Sequence, residues 1–194
     1  HFLGLPDYYT YDGDDGDWGS SGMLDMMDYN VGDHNAFSKA LFGWLRPQVV
    51  NNATTITLKP LVTGKDAAII PIRYRDTLLD EYLLVEYYRP DSLNTKDATV
   101  PFAGRYPLQF TQPGIKIYHV DARPGRFIYR NGTWKFRDYV DYIQPRTTST
   151  YFGVANSNTA SRSAVPHHKL IHLLEPSGEN SLRHGYFAND STLF

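Results

Sequence analysis

Apolar residues recur at helical spacing in one clear stretch of this chain. Phe37, Leu41, Trp44 and Leu45 share one face, and their spacing predicts a helix over residues 35–45. Asp33 or Asn35 can cap its start, Gly43 works against its last turn, and Pro47 stops it. From Thr54 onward the pattern shortens. Residues 54–59, 67–74, 81–88, 115–121, 126–130 and 169–174 are rich in β-branched and aromatic side chains and are punctuated by Gly, Pro, Asn and Asp, which predicts strands. Asn131-Gly132, set between Phe127-Ile128-Tyr129 and Trp134-Lys135-Phe136, predicts a hairpin with a two-residue turn. Residues 147–163 carry Ser, Thr and Asn throughout and predict a loop. Strands this short and this often interrupted predict an antiparallel β-sandwich, in a chain that is mainly β and α+β taken whole. The pattern changes near residues 47–52, which divides the chain into residues 1–48 and residues 49–194.

Composition adds limits. A chain of 194 residues can bury one good core, or a small domain and part of another. Its 15 Tyr and 10 Phe favour strands with large interfacial side chains. A net charge of -2 argues against nucleic acid as the main partner. The charge is unevenly placed: residues 1–33 hold eight Asp and no Lys or Arg. Such a field must be solvated or met by cations, so Asp12, Asp14, Asp15 and Asp17 read either as a solvated acidic loop or as a calcium site. They do not fit an EF-hand, because the Gly is misplaced and no Glu closes the loop. The absence of Cys excludes disulfides and thiol catalysis. No apolar run predicts a transmembrane segment or a signal peptide.

The first seven residues, His1-Phe2-Leu3-Gly4-Leu5-Pro6-Asp7, have the spacing of the second half of an extended zinc motif, HExxHxxGxxD. In such a motif an HExxH helix presents two His to one zinc. A Gly then ends the helix in a left-handed conformation, and a ligand three residues later can reach the same metal. The first His and the Glu that would serve as base are not among these residues. The chain is therefore expected to be one part of a longer catalytic domain and to be inactive alone.

Four stretches in order carry a resemblance. His1 to Tyr9, HFLGLPDYY, is similar to the segment after HExx in the immune-inhibitor-A family of secreted bacterial metallopeptidases, relatives of the metzincins. Gly22 to Tyr29, GMLDMMDY, resembles the family's W-D-L-M stretch, the Met-turn beneath the zinc. Ala36 to Leu45 resembles its S-x-K-x-x-L-G-W helix, and Gly114 to Asp121, GIKIYHVD, its G-L-L-I-Y-H-V-D strand.

The resemblance implies the distal part of a metzincin-like catalytic domain followed by a β-sandwich, in a zinc-dependent endopeptidase that is secreted or displayed at the cell surface and acts on protein or peptide substrates. It implies zinc on His1 and Asp7, with Asp12, Asp14 or Asp25 as alternatives to Asp7. Met27, ahead of Met26 and Met23, would underlie the metal, and Tyr29 would stand near the oxyanion. The upstream part of the same domain would supply the remaining ligand and base. A different function class also suits the sequence: a non-catalytic β-sandwich module recognising carbohydrate or protein through exposed aromatics. His119 and Asp121 alternate along one strand and so share a face; they read as structural hydrogen-bonding residues ahead of a metal pair. His167, His168 and His172 form a local cluster without an acidic neighbour in sequence.

Overall fold

The helix is shorter than its apolar stripe. In the computed structural model, which describes residues 1–10, 19–106, 108–158, 164 and 168–194, α1 covers Ala36–Leu41. Asn35 caps it, its side-chain oxygen accepting the Ser38 N–H at 2.9 Å. Gly43 does more than weaken the last turn: it ends the helix. At φ +70° it occupies the left-handed position that Gly adopts at least cost. Trp44 N–H then bonds the Lys39 carbonyl and Gly43 N–H the Ala40 carbonyl, at 2.9 and 3.0 Å, the paired closure of a Schellman motif. Two further α-helices are single turns, α2 at Leu61–Gly64 and α3 at Thr95–Thr99.

The rest is dominated by two sheets, and no closed barrel forms. The strands are β1 Gln48–Val49, β2 Ala67–Arg73, β3 Glu81–Tyr88, β4 Gly114–Asp121, β5 Pro124–Arg130, β6 Thr133–Tyr139, β7 Thr150–Val154 and β8 Ile171–Leu173. One sheet has the order β1-β2-β3-β4-β8, the other β6-β5-β7. Pairing is antiparallel except between β1 and β2, which run parallel, so the first sheet is mixed. The hairpin is present: Asn131 and Gly132 have φ of +51° and +81° between β5 and β6, the pair of positive angles that a type I′ turn needs.

Two expectations fail. Residues 54–59 form no strand. The edge of β2 is already taken by β1, and Val50 N–H bonds the Ile69 carbonyl at 2.9 Å. Ile56 and Leu58 instead line a shallow pocket with Val85, Tyr87 and Ile115. Conversely, part of the expected loop at 147–163 is β7. Its polar flanks hide a segment that fills the free edge of β5 and lays Tyr151 on Phe127, ring centroids 4.6 Å apart.

The core is formed from both ends of the chain. Leu5, Tyr8, Leu24, Met27 and Phe37 are buried in one cluster with Ile69, Tyr82, Leu84, Tyr118, Val120 and Ile171. Along β3 burial alternates, with Tyr82, Leu84, Glu86 and Tyr88 inward. Glu86 is met across the sheet by Lys116 of β4, whose register partner it is. The Lys116 ammonium lies 3.5 Å from Glu86 Oε1 and 4.6 Å from the Tyr88 ring centroid. Glu86 Oε2 accepts the Ala36 N–H at 2.7 Å, so a buried carboxylate of the sheet receives the first turn of α1.

Candidate metal centre

The segment His1–Asp7 folds back on itself. Gly4, at φ +91°, donates its N–H to the His1 carbonyl at 2.8 Å. The turn brings the two residues expected as ligands together: His1 Nε2 lies 2.7 Å from Asp7 Oδ1. The other ring nitrogen, Nδ1, lies 3.2 Å from the Leu5 carbonyl oxygen. Both imidazole nitrogens thus face acceptors. Without a metal, only the doubly protonated ring satisfies both. At 2.7 Å the two atoms are in direct contact and would have to part to share a metal. His1 and Asp7 would then be the residues that hold it, with Nδ1–H on the Leu5 carbonyl as the outer-shell bond of a ligating His. One imidazole and one carboxylate suit zinc.

This loop is pinned from below. Leu5 and Tyr8 are buried, and Tyr8 is fully so. The Tyr8 hydroxyl bonds Ser38 Oγ of α1 at 2.8 Å, and its carbonyl accepts from Asn158 Nδ2 at 2.8 Å. Its N–H donates to the Met27 carbonyl at 2.9 Å, which places the Met27 turn one residue from Asp7. Met27 is buried in the same cluster as Leu5 and Tyr8, whereas Met26 is exposed.

Asp25 builds that turn. Its carbonyl accepts the N–H groups of Asp28 and Asn30 at 2.8 and 3.1 Å. Its carboxylate accepts from Met27 N at 2.9 Å, Asn35 N at 3.2 Å and Asn35 Nδ2 at 2.7 Å. Both Asp25 oxygens are engaged in the turn and the helix cap, which leaves the alternative of Asp25 as a ligand without structural support. Burial pushes the Asp25 carboxyl up from the usual range. Asp28 is fully buried beside it, accepts from the Met23 N–H at 2.9 Å and from the Ser21 hydroxyl, and is raised to about 7, chiefly by burial.

Tyr29 has φ +69° and lies between two other rings, 5.1 Å from Tyr9 and 4.5 Å from Tyr106 by centroids. The Tyr9 phenol bonds Asp7; burial first, then that carboxylate, holds its pKa above the ordinary value. The row Tyr9, Tyr29, Tyr106 therefore runs outward from Asp7. Tyr9, Tyr106 and Asp28 escape sequence reading: Tyr is abundant in this chain, and nothing local marks the three that stack. Asp12, Asp14, Asp15 and Asp17 lie outside the described residues, as does His167.

No protein-family model, curated protein or solved structure matches this chain. Among the described residues no helix is long and apolar enough to cross a membrane.

A second group that could hold a metal ion joins Glu81, Asp121 and His168, whose ligand atoms lie within 4.8 Å of one another. Glu81 and Asp121 are register partners at the ends of β3 and β4. His168 Nδ1 is 3.0 Å from Asp121 Oδ2, which supplies the acidic partner that the sequence did not reveal. His119 Nε2 bonds Glu81 Oε1 at 3.1 Å. Arg123 already fills much of this place. It binds Asp121 through Nε and a terminal nitrogen at 2.7 Å each, approaches Glu81 at 3.4 Å and lies 4.0 Å from the Tyr139 ring centroid. Burial alone would raise the Asp121 carboxyl, but the bonds from Arg123 and His168 outweigh it and hold the pKa low. Arg123 follows the end of β4 and precedes β5, so the group ties one sheet to the other.

Proposed function

We propose that this chain forms the distal part of a secreted or cell-surface zinc-dependent endopeptidase resembling the immune-inhibitor-A family, with His1 and Asp7 as two of the metal's ligands. The observation that carries the reading is the His1 ring: Nε2 at 2.7 Å from Asp7 and Nδ1 held by the Leu5 carbonyl. When bound, zinc polarises a scissile carbonyl and lowers the pKa of a water. In this reading Leu5 fixes the His1 tautomer, Tyr8 and the Met27 turn hold the loop in place, and Tyr29 stacks on Tyr9, whose phenol bonds Asp7. These 194 residues contain no HExxH, so a further ligand and a general base come from outside them, and the substrate is a protein or peptide.

The test measures zinc by elemental analysis, and cleavage of a quenched peptide, in a protein that joins this chain to an upstream HExx-containing segment. Near-stoichiometric zinc and chelator-sensitive cleavage are expected. Asp7→Ala should lower zinc occupancy by at least about tenfold. Full zinc content in both Asp7→Ala and His1→Ala would sink the ligand assignment. The 194-residue chain alone is expected to cleave nothing.

One observation favours a binding module as a second reading. On the small sheet Tyr129 and Trp134 lie 5.2 Å apart, Trp134 and Tyr151 4.9 Å apart, and Arg146 stands 5.3 Å from the Trp134 ring. Tyr129 is exposed. Such a row suits a sugar ring or an apolar protein patch. Glycan-array binding abolished by Trp134→Ala, with no zinc-dependent cleavage in the joined protein, would favour it.

A further inference from the structure

The loop that carries Tyr29 and the segment that carries Tyr106 meet where buried acceptors outnumber donors. Asp97 is 1% exposed. Its Oδ2 accepts the backbone N–H groups of Val31, at 3.0 Å, and Gly32. Its Oδ1 is buried and has no hydrogen-bond partner. No cationic side chain pairs with Asp97 among the described residues.

Gln109 stands beside it, donating its backbone N–H to the Asp97 carbonyl at 2.8 Å. The Gln109 amide nitrogen donates to the Leu24 carbonyl at 3.1 Å, which fixes the orientation of the amide. Its Oε1 is left buried and unpartnered. Asn30, next in sequence to Val31, is 5% exposed, and neither its Oδ1 nor its Nδ2 has a partner. The packing here is close: a Cβ on Gly32 would fall 2.7 Å from Asp97 Oδ2 and 3.0 Å from Asn94 Oδ1.

Three buried oxygens thus want a partner, and one of them belongs to a carboxylate with no counter-charge. Buried charges in proteins are paired or coordinate metals. Water can satisfy orphaned acceptors but cannot offset the charge. Carboxylate and carboxamide oxygens, with no nitrogen or sulfur donor, suit a hard cation. Calcium tolerates irregular oxygen shells, whereas magnesium demands a near-octahedral one and retains several waters. We propose that Asp97, Gln109 and Asn30 form a calcium site that ties the loop at 28–33 to the segment at 94–109. The site does not depend on the zinc reading and uses none of the carboxylates of residues 12–17. Because Tyr29 precedes Asn30 and Tyr106 lies three residues before Gln109, calcium here would hold the Tyr29–Tyr106 stack in place.

Thermal unfolding of the full chain in calcium chloride and in chelator, with equilibrium dialysis against calcium, tests this. At a calcium concentration a hundred times Kd, the midpoint should rise by roughly 5–10 °C. Asp97→Asn should lose that rise. Asn30→Asp adds a carboxylate to the shell and should tighten calcium binding by about tenfold, since affinity follows ligand charge. A variant with Asp12, Asp14, Asp15 and Asp17 changed to Asn should keep the rise. The site is refuted if wild type shows no calcium-dependent shift, if the shift survives Asp97→Asn, or if it vanishes with the 12–17 carboxylates. If Asp97→Asn does not fold, Asn30→Asp decides: unchanged or weaker calcium binding overturns the site.

Discussion

Asn35 links the Met27 turn to the helix through one amide. Its oxygen accepts the Ser38 N–H, and its nitrogen donates to Asp25 Oδ2 at 2.7 Å. Asn35→Ala removes the cap and leaves a buried carboxylate short of a donor, which should cost about 2–3 kcal/mol. Asn35→Ser keeps the cap alone and should recover about 1 kcal/mol of that. Denaturant unfolding measures both: equal losses in the two variants would show that the cap contributes nothing, and a Ser variant as stable as wild type would show that the amide bond to Asp25 contributes nothing. On the large sheet His172 faces His119 across β4 and β8. Burial first, then the charge of His119, lower its pKa to about 4. A folded pKa below the unfolded value of about 6.5 means that this group's stability is fully present above pH 6.5 and is lost as pH falls toward 4. By pH 5 the loss should reach about 2 kcal/mol. His172→Gln should flatten the fall between pH 7.5 and pH 5, and an unchanged slope in that variant would assign the acid sensitivity to other groups.

At the scale of elements, the pair of Glu86 and Lys116 joins α1 to the large sheet. Lys116→Met leaves Glu86 buried with only the Ala36 N–H and the helix start to hold it, so it should destabilise by about 3–5 kcal/mol. Adding Glu86→Gln should recover most of that loss, because the uncompensated charge is gone; denaturant unfolding of the single and double variants checks the coupling. The sequence announces the strands but not this pair. Period-two alternation and the Asn131-Gly132 turn make β2 through β6 readable, because each such segment pairs with its neighbour in the chain or lies close to it. Residues 54–59 alternate equally well yet pair with nothing, and β7 lies inside a polar stretch, because strand formation depends on which edges are free. Glu86 and Lys116 occupy inward positions that look like errors of patterning until the register puts them side by side. Of the candidate metal centre, His1 and Asp7 were legible from a three-residue spacing. Tyr106 was not, because it reaches Tyr29 only through tertiary contact.

On the scale of the whole molecule, the change of pattern near residues 47–52 does not separate the core. Tyr8 reaches Ser38 in α1 and Asn158 in the region before β8, and Leu173 N–H bonds the Ser20 carbonyl at 2.8 Å. Lys169, 1% exposed, donates to the Asn158 carbonyl at 3.2 Å, and the Asn158 side chain also accepts the Ile171 N–H at 3.0 Å. The first ten residues thus rest on the far end of the chain, and the loop that brings His1 to Asp7 is only as firm as that seat. Removing residues 1–48 would uncover the side of the core that Leu5, Tyr8, Leu24 and Phe37 now fill, and would leave Glu86 without the helix start it receives. Loss of several large side chains from one cluster costs more than the roughly 5–15 kcal/mol by which a domain is stable. The 194-residue chain should therefore unfold in one transition by near-UV and far-UV circular dichroism alike. Residues 49–194 expressed alone should show neither near-UV structure nor a cooperative transition. A dispersed amide spectrum and sharp melting from residues 49–194 would show instead that the two sheets stand as a domain of their own, with residues 1–48 docked upon them.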